Sequence, residues 1–321
     1  MNITTPGYQG ILLPDLDIGF DYSGSHSNYT FISHAHADHM PRGSRSHIYC
    51  TPNTRKLILK RGFKGTSETL EFEQPLETEY ARITFYPAGH ILGSAMVFVE
   101  SDQGNVLYTG DYRTPPSPAS EGFILPDKAI DYFITEATFG LPIYKWDSHD
   151  YLAKETRQFV SKALNDGYTP VFLAYDLGKA QEVMQMLAPL KHLVQVTESA
   201  FSLCRVYEEA GFDLGNYEIY DPYSCEGKIL ITTTGAINDG FASSILKKRI
   251  AYCSGWAVHT SNRSYVTADK RIALSDHLDF FELIRLCKKL NPKKVYLTHT
   301  PNPDVVQHYL DNLNIESQLL I

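Results

Sequence analysis

Ser33-His34-Ala35-His36-Ala37-Asp38-His39 closes the strand-patterned run Tyr29–Ser33 and places three histidines and an aspartate within six residues. In an extended segment the side chains at i and i+2 point the same way, so His34 and His36 can face one point. The turn that follows lets Asp38 and His39 face a second point close by. Imidazole nitrogen and carboxylate oxygen suit Zn²⁺ well, and Mn²⁺ or Fe less exclusively. The bland alternative is a polar loop with coincidental histidines, and what recurs further along the chain weakens it.

Working outward, Arg82–Tyr86, Ala95–Glu100, Val106–Thr109 and Ala129–Thr135 also pattern as short strands. Candidate ligands stand at the ends of such strands: His90 in PAGH, Asp111 in TGD and Glu136 in TEAT. Much later, the strand-like Val295–Leu297 delivers His299 in LTHT. A rigid sheet can fix several such loops together, which is why catalytic groups collect there. A single His or Asp after a strand is ordinarily structural. The recurrence makes His90, Asp111 and His299 metal-ligand candidates beside His34, His36, Asp38 and His39.

From about residue 150 the rhythm alternates between helix and strand. Tyr151–Leu164, Leu177–Leu187 and Ala200–Glu209 read as helices, with strands at Pro170–Ala174 and Leu193–Val196 between them. This order predicts a parallel sheet covered by helices, in the manner of an inserted domain. The earlier style returns after residue 263. Ser275-Asp276-His277 precedes a helix over Phe280–Leu290, which Asp279 and Glu282 open as a capping box and Pro292 ends. The segment 113–122, RTPPSPASEG, reads as an exposed loop.

At 321 residues and 43% hydrophobic content, the chain can build a packed core or two. It carries no apolar run of membrane-spanning length and no secretory-type start. Five scattered cysteines without a CxxC pair favour a reducing, cytoplasmic setting over a disulfide framework or a thiolate zinc site. A formal charge of −8 argues against broad polyanion binding, although bound cations reverse the local field around acidic ligands. The basic clusters at 60–64, 247–249 and 288–294 read as solvated faces.

The order HxHxDH, AGHxxGS, GD, a strand-end acid and two late histidines resembles the metallo-β-lactamase fold with a β-CASP insertion, over nearly the whole chain. The resemblance implies an α/β fold in which an αββα sandwich (1–146 and 263–321) carries an inserted β-CASP α/β domain (147–262). It implies two divalent metal ions, with zinc first and manganese as the alternative. His34, His36 and His90 would bind one, Asp38, His39 and His299 the other, and Asp111 would bridge them. Such a pair activates a shared water for attack on phosphorus. Asp38 is then also a candidate for orienting that water. His277 is the candidate general acid, with a helix-capping histidine as the structural alternative. Glu136 fills the place of its carboxylate partner.

The phrases ISHAHADHMPRGS, YTGDYR, ITEATFGLPIYKW and LSDHLDF are similar to those of bacterial ligase-associated DNA exonucleases. The resemblance ties a late histidine such as His299 to RNA-processing members. It ties Leu177-Gly178-Lys179 and Ser254-Gly255-Trp256 to DNA enzymes, where Lys179 and Ser254 would receive a terminal 5′-phosphate. Lys179 at a helix start, with Asp176 as its N-cap, suits that role. The chain therefore reads as a 5′ exonuclease acting on single-stranded DNA in repair or end processing. DNA is favoured over RNA as the partner, no membrane is involved, and a ligase or helicase association is implied by the resemblance alone. The alternatives are a ribonuclease of the same fold, a small-molecule metallo-hydrolase, and an inactive nucleic-acid-binding protein.

Overall fold

The computed structural model describes residues 1–6, 10–41, 46–258 and 266–320. In chain order the first elements are β1 (Ile11–Leu13), β2 (Ile18–Phe20), β3 (Tyr29–Phe31), β4 (His47–Cys50), α1 (Pro52–Lys60), β5 (Thr66–Thr69) and β6 (Pro75–Glu77). They are followed by β7 (Arg82–Pro87), β8 (Ala95–Glu100), β9 (Val106–Tyr108) and β10 (Tyr132–Glu136). The middle of the chain forms α2 (His149–Asn165), β11 (Thr169–Leu173), α3 (Lys179–Leu187), β12 (Val194–Val196), α4 (Glu198–Glu209) and β13 (Tyr217–Ile219). It continues with β14 (Ile229–Thr232), α5 (Thr234–Asn238), β15 (Lys248–Cys253) and β16 (Lys270–Ile272). The chain closes with α6 (Phe280–Leu290), β17 (Lys294–Thr298), α7 (Pro303–Asp311) and β18 (Glu316–Leu319).

These elements group into two compact units. One comprises Met1–Pro116, Ser120–Lys145 and His277–Ile321; the other comprises Ser117–Ala119 and Trp146–Asp276. The domain boundary expected at 262/263 lies outside the described residues. Beyond it, Lys270–Ile272 stays with the second unit because β16 pairs in parallel with β15, Cys253 opposite Ile272.

In the first unit a five-stranded sheet (β1-β2-β3-β4-β5) faces a seven-stranded one (β18-β17-β10-β9-β8-β7-β6). Strand alternation decides which side chains meet. Phe85, Val97, Val99, Tyr108 and Ile134 pack against Leu13, Phe20 and Phe31 in one core. Their neighbours Met96, Phe98, Leu107, Phe133, Val295 and Leu297 point the other way and pack against Leu283, Leu286, Val306 and Leu310 of α6 and α7. Helix α6 starts at the expected capping box: the Asp279 carboxylate accepts from Glu282 N at 2.8 Å, and Glu282 accepts from Asp279 N at 2.9 Å. β17 pairs in parallel with β10, placing Thr298 beside Glu136.

The second unit is a six-stranded parallel sheet in the order β13-β12-β14-β11-β15-β16. Its strands are short apolar runs. Val171, Leu230 and Ile231 are fully or nearly fully buried, as befits a parallel sheet covered on both faces. Among the described residues, no helix is long and apolar enough to cross a membrane.

The segment 113–122 departs from the exposed loop its composition predicts. Arg113 is only 5% exposed, its N–H donates to Ala88 O at 3.0 Å, and the Glu121 carboxylate accepts from Gly93 N at 2.9 and 3.0 Å. Turn-forming composition marks where a chain bends, and says nothing of what packs against it.

Candidate metal centre

The candidate ligands of the first unit converge at the carboxyl ends of its strands, and backbone hydrogen bonds lace their loops together. Ala95 N donates to Ser33 O (2.8 Å), Arg113 N to Ala88 O (3.0 Å), Leu278 N to Tyr112 O (3.0 Å) and Ala137 N to Thr298 O (3.1 Å). Gly110, just before Asp111, makes the close approach possible. It adopts φ +55°, and a Cβ built there would lie 2.4 Å from the Ser33 Cβ.

One ligand atom each from His34, His36, His90 and Asp111 lies within 4.8 Å of the others, and the same holds for His39, Asp111 and His299. The Asp111 carboxylate belongs to both groups. Its Oδ2 stands 3.6 Å from His34 Nε2, 3.4 Å from His39 Nε2 and 3.8 Å from His90 Nε2. Asp38 is set apart on the rim, with its side chain 73% exposed and its Oδ2 3.9 Å from His39 Nε2.

The donor set fits a divalent cation on two physical grounds. His34 Nε2 and His39 Nε2 are buried and make no aligned hydrogen bond, and such orphaned polar atoms demand an explanation. His36 Nδ1 and His90 Nε2 approach to 3.1 Å, close to the ~3.3 Å that separates two nitrogens on one tetrahedral zinc. Burial, with His39 and His90 beside it, holds the His34 imidazole well below its ordinary value. Burial works downward on His39 too, but the carboxylates of Asp111 and Asp21 outweigh it and hold this imidazole well above. For Asp111 burial works upward, and His39 and His277 overcome it, so its carboxyl titrates well below the usual range.

A residue that the sequence reading did not single out anchors the cluster from behind. Asp21 directly follows β2, and its Oδ2 accepts from His39 Nδ1 (2.7 Å), Tyr108 Oη (2.7 Å) and Ser33 Oγ (2.6 Å). Its Oδ1 accepts from Ser33 N at 2.7 Å. Ser33 Oγ in turn stands 2.9 Å from His34 Nδ1, and Thr298 Oγ1 stands 3.0 Å from His299 Nδ1. Contacts of this kind fix the ring tautomer, leaving Nε2 as the lone-pair donor. The available signal was that Asp21, like Asp111, is an acid directly after an apolar strand.

His277 lies beside the histidine cluster, its ring centroid 4.8 Å from that of His90. Its Nδ1 pairs with Oε1 of the fully buried Glu136 at 2.7 Å. The other Glu136 oxygen accepts from Thr138 N at 3.1 Å and from the Thr138 hydroxyl. His277 does not cap α6, because Asp279 occupies the N-cap.

Lys179 and Ser254 belong to the second unit, after the neighbouring parallel strands β11 and β15. Lys179 is 3% exposed, and its ammonium is ion-paired with Asp276. The N-cap of α3 is Gly178, not Asp176. The Asp176 carboxylate instead accepts from Thr197 Oγ1 at 3.2 Å and Ser199 Oγ at 2.7 Å. Ser254 Oγ accepts from Trp256 N at 3.2 Å.

No protein-family model matches the chain. It is 30% identical over 293 residues to a protein of Opitutus terrae described as a probable DNA ligase, covering 90% of this chain and 28% of that protein. It is 29% identical over 177 residues to an RNase J-like protein of Methanocaldococcus jannaschii, covering 49% of this chain and 42% of that one. The chain thus spans less than half the length of these two curated relatives. A crystal structure of a protein of unknown function from Enterococcus faecalis superposes with a TM-score of 0.61 and 14% identity, over 94% of this chain and 82% of the other. That likeness speaks for the fold alone.

Proposed function

Because the chain belongs to the β-CASP class of metallo-β-lactamase-fold nucleases, we propose that it hydrolyses phosphodiester bonds in DNA, as a 5′ exonuclease on single-stranded ends. The observation that carries the hydrolase reading is the shared carboxylate. Asp111 lies within 4.8 Å of donor atoms in both histidine groups, and it lies equally close to the Glu136–His277 pair. In this reading the first unit is the αββα sandwich and the second its β-CASP insertion.

His34, His36, His90 and Asp111 would hold one divalent ion, and His39, His299 and Asp111 the other, with Asp38 turned inward from the rim. Zinc suits this imidazole-rich set best. Bound there, the ions would supply an activated water and positive charge against the phosphate. The chain's own residues do the rest. Asp21 and Ser33 hold the imidazoles in their ligating tautomers. Asp38 orients the attacking water through its free oxygen. Glu136 favours the protonated form of His277 and aims it, and His277 gives its proton to the sugar oxygen as the P–O bond breaks. The water oxygen ends on phosphorus, leaving a phosphomonoester and an alcohol.

The DNA reading is supported by the similarity to a protein described as a probable DNA ligase, which also motivates a functional association with ligation. The 5′ polarity rests on Lys179 and Ser254 at neighbouring strand ends, where a terminal phosphate would displace Asp276 from the Lys179 ammonium. A ribonuclease is the second reading, favoured by His299 in the second cluster and by the similarity to an RNase J-like protein. Matched single-stranded DNA and RNA, labelled at either end and with or without a 5′-phosphate, separate these readings. Preferential cutting of RNA, or indifference to the 5′-phosphate, would overturn the corresponding part of the proposal.

A further inference from the structure

Resting on that nuclease reading, we infer that the cavity beside His39 and His299 seats an uncharged nucleoside, the one that keeps the phosphoryl group after cleavage. The cavity measures about 760 Å³ and lies wholly within the first unit. That volume falls in the roughly 300–1,000 Å³ range of small-molecule sites.

Its composition selects the occupant. Ile11, Phe20, Met40 and Leu320 give it apolar wall, while Thr5 and Ser23 add hydroxyls. The charged groups along it are the acids Asp21 and Asp38 with the His39 and His299 imidazoles, and among the described lining residues there is no Lys or Arg. Among the described lining residues no cation stands ready for a phosphate away from the metal ligands, and Asp21 would oppose one, so phosphate recognition there is disfavoured. A base with its sugar carries no charge, offers a flat apolar face and has polar edges for the hydroxyls.

Geometry fixes which nucleoside this is. Among the described residues the cavity touches Asp38, His39 and His299, but none of His34, His36, His90, Glu136 and His277. His277 stands on the other flank, against the His90 ring. The group that His277 protonates departs on that flank, so the nucleoside opposite is the one that keeps the phosphoryl group. In the reading proposed here, where the bond to a 3′-oxygen is cut, it keeps it through its 5′-oxygen.

Isothermal calorimetry on the zinc-loaded protein tests this without turnover, using deoxythymidine 5′-monophosphate, deoxythymidine 3′-monophosphate and inorganic phosphate as probes. The 5′-nucleotide should bind about tenfold or more tighter than either alternative. In Ser23→Trp, which fills the cavity, that preference should shrink to about parity. Equal binding of the 5′-nucleotide and inorganic phosphate by the unaltered protein overturns the subsite whatever the variant does. Equal binding of the 5′- and 3′-nucleotides overturns its sidedness. Cleavage of DNA and RNA is measured alongside: cutting without a nucleoside preference sinks the subsite alone, whereas no cutting of either polymer sinks the nuclease reading.

Discussion

Replacing Asp21 with Asn tests whether the metal site depends on the carboxylate behind it. Asp21 sits at φ +46°, a conformation Asn also tolerates, so the exchange isolates hydrogen bonding from backbone strain. Three donors converge on Oδ2, at 2.6 Å for Ser33 Oγ and 2.7 Å for His39 Nδ1 and Tyr108 Oη. If the Asn carbonyl keeps the bond from Ser33 N, its NH₂ group faces those three donors. The hydroxyls can rotate, but His39 can accept at Nδ1 only by carrying its proton on Nε2, the atom meant for the metal. Zinc affinity should therefore fall roughly 10- to 100-fold. The metal-free protein should lose about 1–3 kcal/mol for the buried donor left unsatisfied. Tyr108→Phe is the control: it removes one donor and keeps the carboxylate, so it should cost about 0.5–1.5 kcal/mol and leave zinc binding nearly unchanged. Competition against a chromophoric chelator reads the affinity, and urea unfolding reads the stability. Zinc binding by Asp21→Asn within about twofold of the parent would refute the tautomer argument.

Further outcomes follow from the same geometry. His277→Ala should keep its metal content while turnover falls about 10²- to 10⁴-fold, whereas Asp111→Asn should lose metal as well; equal metal loss by elemental analysis would contradict this division of labour. Gly110→Ala places a Cβ 2.4 Å from that of Ser33 at φ +55°, so thermal unfolding should report a loss of about 1–3 kcal/mol or more. Chelation of free zinc held at about 100 times the dissociation constant should remove about 2.7 kcal/mol, a Tm drop of roughly 4 °C by calorimetry; an unchanged Tm would argue against a site that binds only the folded chain. Burial pushes the thiols of Cys50, Cys204, Cys253 and Cys287 up to about 12, so at pH 8 a thiol reagent should find at most Cys225 until denaturant is added.

Much of the candidate centre was legible because its potential donors are chemically conspicuous and stand at strand ends. His34, His36, His90 and Asp111 could be named from residue type and position alone, as could His39 and His299. Other features left no such trace. Asp21 follows a strand too short to declare itself, with Asp15 and Asp17 close by as equal candidates, and its role exists only because Tyr108 and Ser33 fold onto it. The strands Ile11–Leu13 and Ile18–Phe20 went unassigned because three-residue strands are too short for alternation to declare itself. The N-cap of α3 was misplaced by two residues because Asp176 finds better donors in Thr197 and Ser199 across the sheet. The apolar runs of the second unit were read readily, since a covered parallel sheet needs them continuous.

The parallel pairing of β17 with β10 has a consequence in time. Strand β10 waits for β17, which is synthesised only after the whole second unit, and 260 residues separate His39 from His299. At ~5–20 residues per second, the ribosome needs roughly 13–50 s to pass from one histidine to the other. Over that interval the early histidines exist without their late counterpart, so the group formed by His39, Asp111 and His299 cannot be complete until β17 is made. Non-local pairing of this kind is slow to form, so the site is among the last features of the fold to be completed.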